Sequence, residues 1–348
     1  MSERLSLGKT WGLRRMANDD GHFTMLAVDQ RPPIANLIAA RRGIAADQVT
    51  FQDMIAVKRV IVDAVGNLPS AVLFDPNFAM PAALARLSPR TGLILTLEDH
   101  RFETTPGGRL SRSIDDWSVE KIRRCGGDGV KVLAWYRPDA DPAVNAHQRA
   151  FVETVGAQCR LQQIPFVLEL LVYPLPGQHA QAADYVEAPE KLPELVLDSV
   201  REFAHPRYGV DLFKLESPLP GATLPPRDGS AAHRAAQACF DQMGAICREA
   251  GLPWVMLSAG VTSAQFQRVM AYAYAAGANG FLAGRAIWWE AMQVFPNLER
   301  CADELRRHGG QTLVELITIT RESANRWMPD YKAFDGMAAE GQVCSSVP

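Results

Sequence analysis

The sequence predicts one α/β domain, a (β/α)8 (TIM) barrel with N-terminal and C-terminal helical additions. Three observations lead there. Eight short, almost uninterrupted apolar runs recur along the chain, and stretches of helical periodicity separate them. The 348 residues exceed a barrel's typical length of about 250 by roughly a hundred. Strands buried on both faces read as continuous apolar runs, whereas a half-exposed sheet would alternate. Sustained strand–helix alternation implies parallel pairing through right-handed crossovers, and eight such units close naturally into a barrel.

Taken in order, the strand candidates are 23–28 (FTMLAV), 71–74 (AVLF), 93–97 (LILTL) and 129–133 (GVKVL). They continue with 166–171 (FVLELL), 211–215 (DLFKL), 254–257 (WVML) and 280–283 (GFLA). Helical pattern fills the gaps. Met54, Ile55, Val57, Ile61, Val62 and Val65 share one face of 52–66, and Phe151, Val152, Val155 and Leu161 do so in 143–161. The stretches 190–203 and 231–250 are similar, and 263–276 has N-cap types at Thr262 and Ser263 and a C′ glycine at Gly277. The surplus length is assigned to residues 1–20, the loops 172–189 and 217–230, and a helical extension over 298–328. With no linker or repeat in view, the organisation expected is an N-terminal extension 1–22, a barrel over 23–330 and a disordered tail over 331–348. An open doubly wound sheet would want G-x-G-x-x-G after its first strand, and Asp29-Gln30-Arg31-Pro32-Pro33 stands there instead.

Charge and cysteine usage exclude some classes of partner. The 36 Lys and Arg against 39 Asp and Glu leave a net charge of -3, which gives no reason to expect nucleic acid or a membrane surface. No run of 18 apolar residues occurs, and the first 25 residues lack a signal-peptide core, so a cytoplasmic protein is expected. The six cysteines form no C-x-x-C pair and read as reduced, mostly buried thiols. The seven histidines show no H-x-H or H-E-x-x-H, so neither a metal site nor a cofactor is expected.

Barrel chemistry stands at the C-terminal ends of the strands. Those positions hold Asp29, Asp75, Glu98-Asp99, Lys131, Glu169, Lys214, Ser258 and Gly284-Arg285. Lys131, Glu169 and Lys214 are unusual in sitting within the fourth, fifth and sixth apolar runs, where a charge is costly unless paired or functional. The plain alternative is a buried salt-bridge network. The chemical reading is a Schiff-base lysine, a second lysine that disfavours its charged form, and a glutamate that shuttles protons. This logic leaves open which lysine forms the imine. Ser258 through Ser263 and Gly280 through Arg285 each lead into an expected helix N-terminus, an arrangement suited to phosphate, with Arg285 adding a charge-assisted contact. Asp29, Gln30 and Arg31 suit substrate hydroxyls and a second anion; the competing reading is a turn and helix cap before the prolines. Asp75-Pro76-Asn77 reads as a turn. Glu98-Asp99-His100 reads as a solvated or hydroxyl-binding loop, and Trp288-Trp289 as core or subunit interface.

These residues carry a resemblance. The chain resembles the tagatose-bisphosphate aldolase family, class I barrel aldolases grouped with the deoxyribose-phosphate aldolase-like proteins, from about Met25 to Trp327. The likeness rests on Ala27-Val28-Asp29-Gln30-Arg31, Phe74-Asp75-Pro76 with Met80-Pro81-Ala82, and Gly108-Arg109-Leu110 before Trp117-Ser118. It continues in Val130-Lys131-Val132, Leu168-Glu169-Leu170, Leu212 to Glu216, Leu257 to Val261 and Gly284-Arg285-Ala286. The resemblance implies that Lys214 is the Schiff-base lysine, Glu169 the acid/base and Lys131 a neighbouring active-site lysine. It implies substrate contacts at Asp29, Gln30 and Arg31, and a phosphate site at Ser258, Gly260, Gly284 and Arg285. The activity implied is that of a lyase cleaving a ketose 1-phosphate derivative, foremost D-tagatose 1,6-bisphosphate, to dihydroxyacetone phosphate and an aldehyde. The family also includes sulfofructose-phosphate aldolases. A non-catalytic sugar-phosphate-binding regulator and a sugar-phosphate isomerase on the same barrel are the readings of other classes. The partner expected is a small phosphorylated sugar, with homo-oligomerisation left open. One departure stands out: the family's motif continues after Gln30-Arg31 with glycine and later a lysine, where this chain has Pro32-Pro33-Ile34-Ala35.

Overall fold

Eight parallel strands close on themselves in a computed structural model that describes residues 5–175 and 192–328. The barrel strands are β1 (Phe23–Ala27), β2 (Ala71–Phe74) and β3 (Gly92–Thr96), then β6 (Gly129–Trp135), β7 (Phe166–Leu171), β8 (Leu212–Leu215), β9 (Trp254–Met256) and β10 (Gly280–Ala283). Every neighbour in the ring pairs in parallel, and β1 against β10, with Phe23 level with Gly280, closes it. All eight expected runs are strands of this barrel. A short antiparallel hairpin, β4 (Glu103–Thr105) and β5 (Gly108–Leu110), lies between β3 and β6 and has no counterpart in the sequence reading. Part of the loop 172–189 and all of the tail 331–348 lie outside the described residues.

The alternation of each strand sorts its side chains into two cores. Outward residues such as Val72, Leu95, Val130, Val132, Leu168 and Phe213 pack under the helices. Inward residues, among them Met25, Leu73, Ile94, Val167, Leu212 and Val255, fill the barrel's lower half. The helix Leu7–Met16 closes the N-terminal end by adding Leu13 and Met16 to that inner core. Gly12 is what lets it approach: a Cβ there would lie 2.4 Å from the Asp128 carbonyl oxygen and 2.5 Å from Pro165.

The helices follow the expected spans closely, at Phe51–Val65, Pro142–Leu161, Pro193–Phe203, Ala231–Ala250 and Ser263–Ala275. Thr262 caps the last of these through a reciprocal pair of bonds with Gln265. Leu161, placed by periodicity on a buried face, is 69% exposed because it is the final residue of its helix. Pro32 and Pro33 occupy the first turn of a helix, Pro32–Arg42, the element that the helix-cap reading of the preceding residues called for, and a missing N–H costs nothing there. No described helix is long and apolar enough to cross a membrane.

Candidate active site

Above the apolar plug the inward-facing positions turn polar. Strand register sets Glu169 level with Lys214 on the neighbouring strand, so the two side chains project side by side into the barrel. Lys131 sits one inward layer lower, level with Thr96 and Val167, and its long side chain reaches up to them. One oxygen of Glu169 (Oε2) lies 2.7 Å from Lys131 Nζ and 2.9 Å from Lys214 Nζ. Lys131 Nζ also meets Asp29 Oδ2 at 3.1 Å and Glu98 Oε1 at 2.5 Å. All five side chains are buried.

The count of donors distinguishes the lysines. An ammonium has three N–H groups, and Lys131 faces three carboxylates, so every one of its protons has an acceptor. Burial works against that charge, but Asp29, Glu169 and Glu98 raise the Lys131 pKa well above the ordinary lysine value. Such a nitrogen has no lone pair to offer a carbonyl. Lys214, by contrast, has one ion-pair partner among the described residues, Glu169. Burial alone would raise both acids, yet Lys131 and Lys214 hold Asp29 and Glu169 below their usual range, so both are carboxylates in the resting site.

Around this cluster opens a cavity at the C-terminal mouth, lined on one side by residues 29–33, Glu98 to His100, Ser258, Ala259, Gly284 and Arg285. Leu133, Trp135, Leu171 and Leu257 form its opposite, apolar wall. Three consecutive residues present buried polar atoms without a partner among the described residues: Asp29 Oδ1, Gln30 Oε1, and Nε and Nη1 of Arg31. Arg31 spends Nη2 on the Glu98 carbonyl at 3.1 Å, which turns it toward β3. Next to it, burial and then the Arg31 charge lower His100 to a pKa of about 4, leaving a neutral imidazole near pH 7.

The β9 and β10 ends come together as expected, though by different means. A Cβ on Gly260 would stand 2.9 Å from the guanidinium carbon of Arg285, and one on Gly284 would stand 2.5 Å from the Ala27 carbonyl oxygen. Ala259 and Gly260 both have positive φ, 49° and 83°, a backbone that turns the loop sharply. The sequence reading relied on two helix N-termini here. The helix after β10, Arg285–Trp288, is a single turn, and the first turn after β9 is engaged by the Thr262–Gln265 capping box. What this corner presents is the Arg285 guanidinium packed over Gly260 with Ser258 beside it, and not two free helix N-termini.

The comparisons bear on which chemistry this is. Residues 23–290 match the family model described as DeoC/LacD family aldolase. The chain belongs to the DeoC/LacD aldolase family. A tagatose 1,6-diphosphate aldolase of Listeria monocytogenes is 31% identical over 345 residues, covering 95% of this chain and 97% of that protein. One from Lactococcus lactis is 31% identical over 324 residues, covering 92% and 97%. Among solved structures, the fructose-bisphosphate aldolase of Plasmodium falciparum superposes with a TM-score of 0.62 at 12% identity, over 94% of this chain and 98% of that one. An archaeal fructose-1,6-bisphosphate aldolase, with its catalytic lysine covalently bound to the carbinolamine intermediate of the substrate, gives 0.52 at 18%, over 88% and 98%. At that identity the structures share the barrel.

Sequence reasoning missed two members of this aldolase's site. Glu98, a strand-end position read as part of a solvated or hydroxyl-binding loop, is 4% exposed and points inward onto Lys131 and Thr96. Its signal was available, because Glu98 lies two residues beyond Thr96, the inward-facing end of β3. Lys58 was absorbed into a helix pattern. Its ammonium is fully buried and bonds the carbonyls of Val28 and Gln30, at 2.5 and 2.8 Å, and Asp75 at 2.7 Å, clamping the backbone on either side of Asp29. Asp75 forms the expected turn, accepting from the Phe78 and Ala79 amides, and is also the counter-ion of Lys58. Trp288 is core, its indole N–H donating to the Ala27 carbonyl at 3.0 Å.

Proposed function

We propose that this protein is a class I aldolase that works through a Schiff base on Lys214 and reversibly cleaves D-tagatose 1,6-bisphosphate. The observation that carries the reading is the saturated Lys131, which leaves Lys214 as the amine able to lose a proton. Glu169, 2.9 Å away, is placed to take that proton. The neutral amine adds to the C2 carbonyl, Glu169 returns its proton to the C2 hydroxyl so that this leaves as water, and the iminium becomes the electron sink while Glu169 is again a carboxylate. The C3–C4 bond then breaks as Glu169, directly or through a water, accepts the C4 hydroxyl proton and the aldehyde leaves. The enamine remaining on Lys214 is protonated at C3, and hydrolysis of the iminium returns the amine and dihydroxyacetone phosphate.

In this reading Asp29 and Gln30 take substrate hydroxyls through their unpartnered oxygens. Ser258, Gly260, Gly284 and Arg285 hold the C1 phosphate, and Arg31 with the neutral His100 takes the anion at the far end. The curated relatives' shared substrate supports a phosphate there. A cytoplasmic setting fits the described cysteines, all five of which are free thiols.

The test is turnover. Purified protein with D-tagatose 1,6-bisphosphate should release dihydroxyacetone phosphate, detected by a coupled reductase, with full activity in excess EDTA because the iminium needs no metal. Glu169→Gln should lower kcat by about 10²- to 10⁴-fold, the usual contribution of a general base. Loss of activity in EDTA, or binding of the sugar with no turnover, contradicts the proposal. A sulfonated ketose phosphate in the same assay reads out whether the far-end site prefers sulfonate.

A further inference from the structure

The three carboxylates around Lys131 are not equivalent. Glu169 shares one oxygen between Lys131 and Lys214, so its charge must change whenever it carries a proton. Asp29 gives one oxygen to Lys131 and leaves the other unpartnered in the cavity. Glu98 spends both oxygens on described residues: Oε1 on Lys131 at 2.5 Å, and Oε2 on the Thr96 hydroxyl at 2.5 Å. It makes no ion pair with Lys214 among the described residues.

We propose that Glu98 is a positioning residue for the aldol reaction, the constant counter-charge that keeps Lys131 fixed and ionised while Glu169 exchanges its proton. The inference rests on the Schiff-base reading above and assigns a role to a residue outside the Lys131–Glu169–Lys214 set.

A buried ammonium is costly without a counter-ion. When Glu169 accepts the C4 hydroxyl proton its negative charge disappears from beside Lys131, just as Asp29 engages substrate hydroxyls. Glu98 and Oδ2 of Asp29 then remain on Lys131, and of these two carboxylates Glu98 is the one that does not also turn to the substrate. It also acts on Glu169 through space, since a neighbouring negative charge raises a carboxylate's affinity for a proton. Lys131 and Lys214 pull the Glu169 proton affinity down and Asp29 returns part of it; the Glu98 charge acts in the same direction as Asp29. The charged groups facing this cluster are Lys131 from β6, Lys214 from β8, Asp29 after β1 and Glu98 after β3, with the Lys58–Asp75 pair behind Asp29. The Thr96 hydroxyl fixes the Glu98 rotamer, and Arg31 holds the Glu98 carbonyl, so the counter-charge is anchored at both backbone and side chain.

The experiment compares wild type, Glu98→Gln and Glu98→Asp in pH profiles of kcat and kcat/KM with D-tagatose 1,6-bisphosphate. Borohydride trapping with dihydroxyacetone phosphate is run on each protein. Glu98→Gln removes the charge at nearly constant shape. It should lower kcat by about tenfold or more, with a far smaller effect on KM, and move the acidic limb to lower pH because Glu169 becomes a weaker base. Glu98→Asp keeps the charge and should hold the limb where wild type has it. An unmoved limb in Glu98→Gln, or a limb moved as far in Glu98→Asp, overturns the proposal even if one variant is too unstable to assay. A wild type that traps at Lys214 while Glu98→Gln turns over normally defeats this inference alone. A wild type that forms no adduct defeats it together with the Schiff-base reading.

Discussion

Arg31 shows how much one side chain can decide. The residue is 5% exposed; its guanidinium spends one nitrogen on a carbonyl and keeps two N–H-bearing nitrogens without a partner among the described residues. Hydrogen bonds to charged groups are worth about 1.5–3 kcal/mol. Arg31→Ala should therefore raise KM for a ketose bisphosphate by about 10- to 100-fold, while a ketose 1-phosphate lacking the distal anion loses far less. Equal losses for both substrates would remove Arg31 from the far-end site. Asp99, three residues beyond the end of β3, makes a different kind of prediction. Burial alone would raise its carboxyl, but Arg101, aided by His100, holds it at a pKa of about 2, and Arg112 lies 3.0 Å away. A carboxylate depressed on folding contributes stability that is complete above its unfolded pKa and lost as pH falls through the folded one. Asp99→Asn should thus be less stable than wild type in urea at pH 7, and the gap should narrow as pH falls from about 4 toward 2. A gap constant over that range would show that the carboxylate's charge does not hold this loop.

At the scale of elements, close packing overrides local propensity. Gly156 lies inside the helix Pro142–Leu161, where alanine would be favoured by about 1 kcal/mol on propensity alone. Yet a Cβ there would fall 1.9 Å from the Tyr208 carbonyl oxygen, a backbone atom that cannot swing aside. Gly156→Ala should lower stability by about 1–3 kcal/mol in thermal or urea unfolding, the range for overpacking. A more stable variant would mean the helix and the Pro206–Tyr208 turn do not meet as described. The same contest explains which elements were legible. Strands such as 71–74 and 166–171 were, because burial on both faces leaves an unbroken apolar run. The hairpin β4–β5 was not: ETT and GRL are three-residue strands with little apolar content. What holds it is Arg109, whose guanidinium stands 4.4 Å from the Phe102 and Trp135 rings and 5.1 Å from Tyr173. Contacts between residues up to 64 positions apart leave no local periodicity to read. Lys58 was hidden for a related reason. Its helical spacing was plain, but that its ammonium bonds the carbonyls flanking Asp29 follows only from the docking of the helix onto β1.

Across the whole molecule, the barrel converts a nearly neutral chain into a locally charged site. The net charge of -3 gave no sign of an anionic substrate. Closure brings Asp29, Glu98 and Glu169 onto Lys131, with Lys214 beside them and Arg31 and Arg285 turned in opposite directions around the rim, toward β3 and β9. Lys131, Glu169 and Lys214 were readable as charges inside apolar strands; the choice of Lys214 as nucleophile came from the family resemblance and not from the residues themselves. That choice depends on how many acceptors each ammonium meets, a property of the closed barrel and not of either strand. Borohydride reduction in the presence of dihydroxyacetone phosphate, with peptide mapping by mass spectrometry, tests it most directly. A single reduced adduct on Lys214, with Lys131 unmodified, is the result predicted. An adduct on Lys131, or none in folded protein that still cleaves its substrate, would contradict the account.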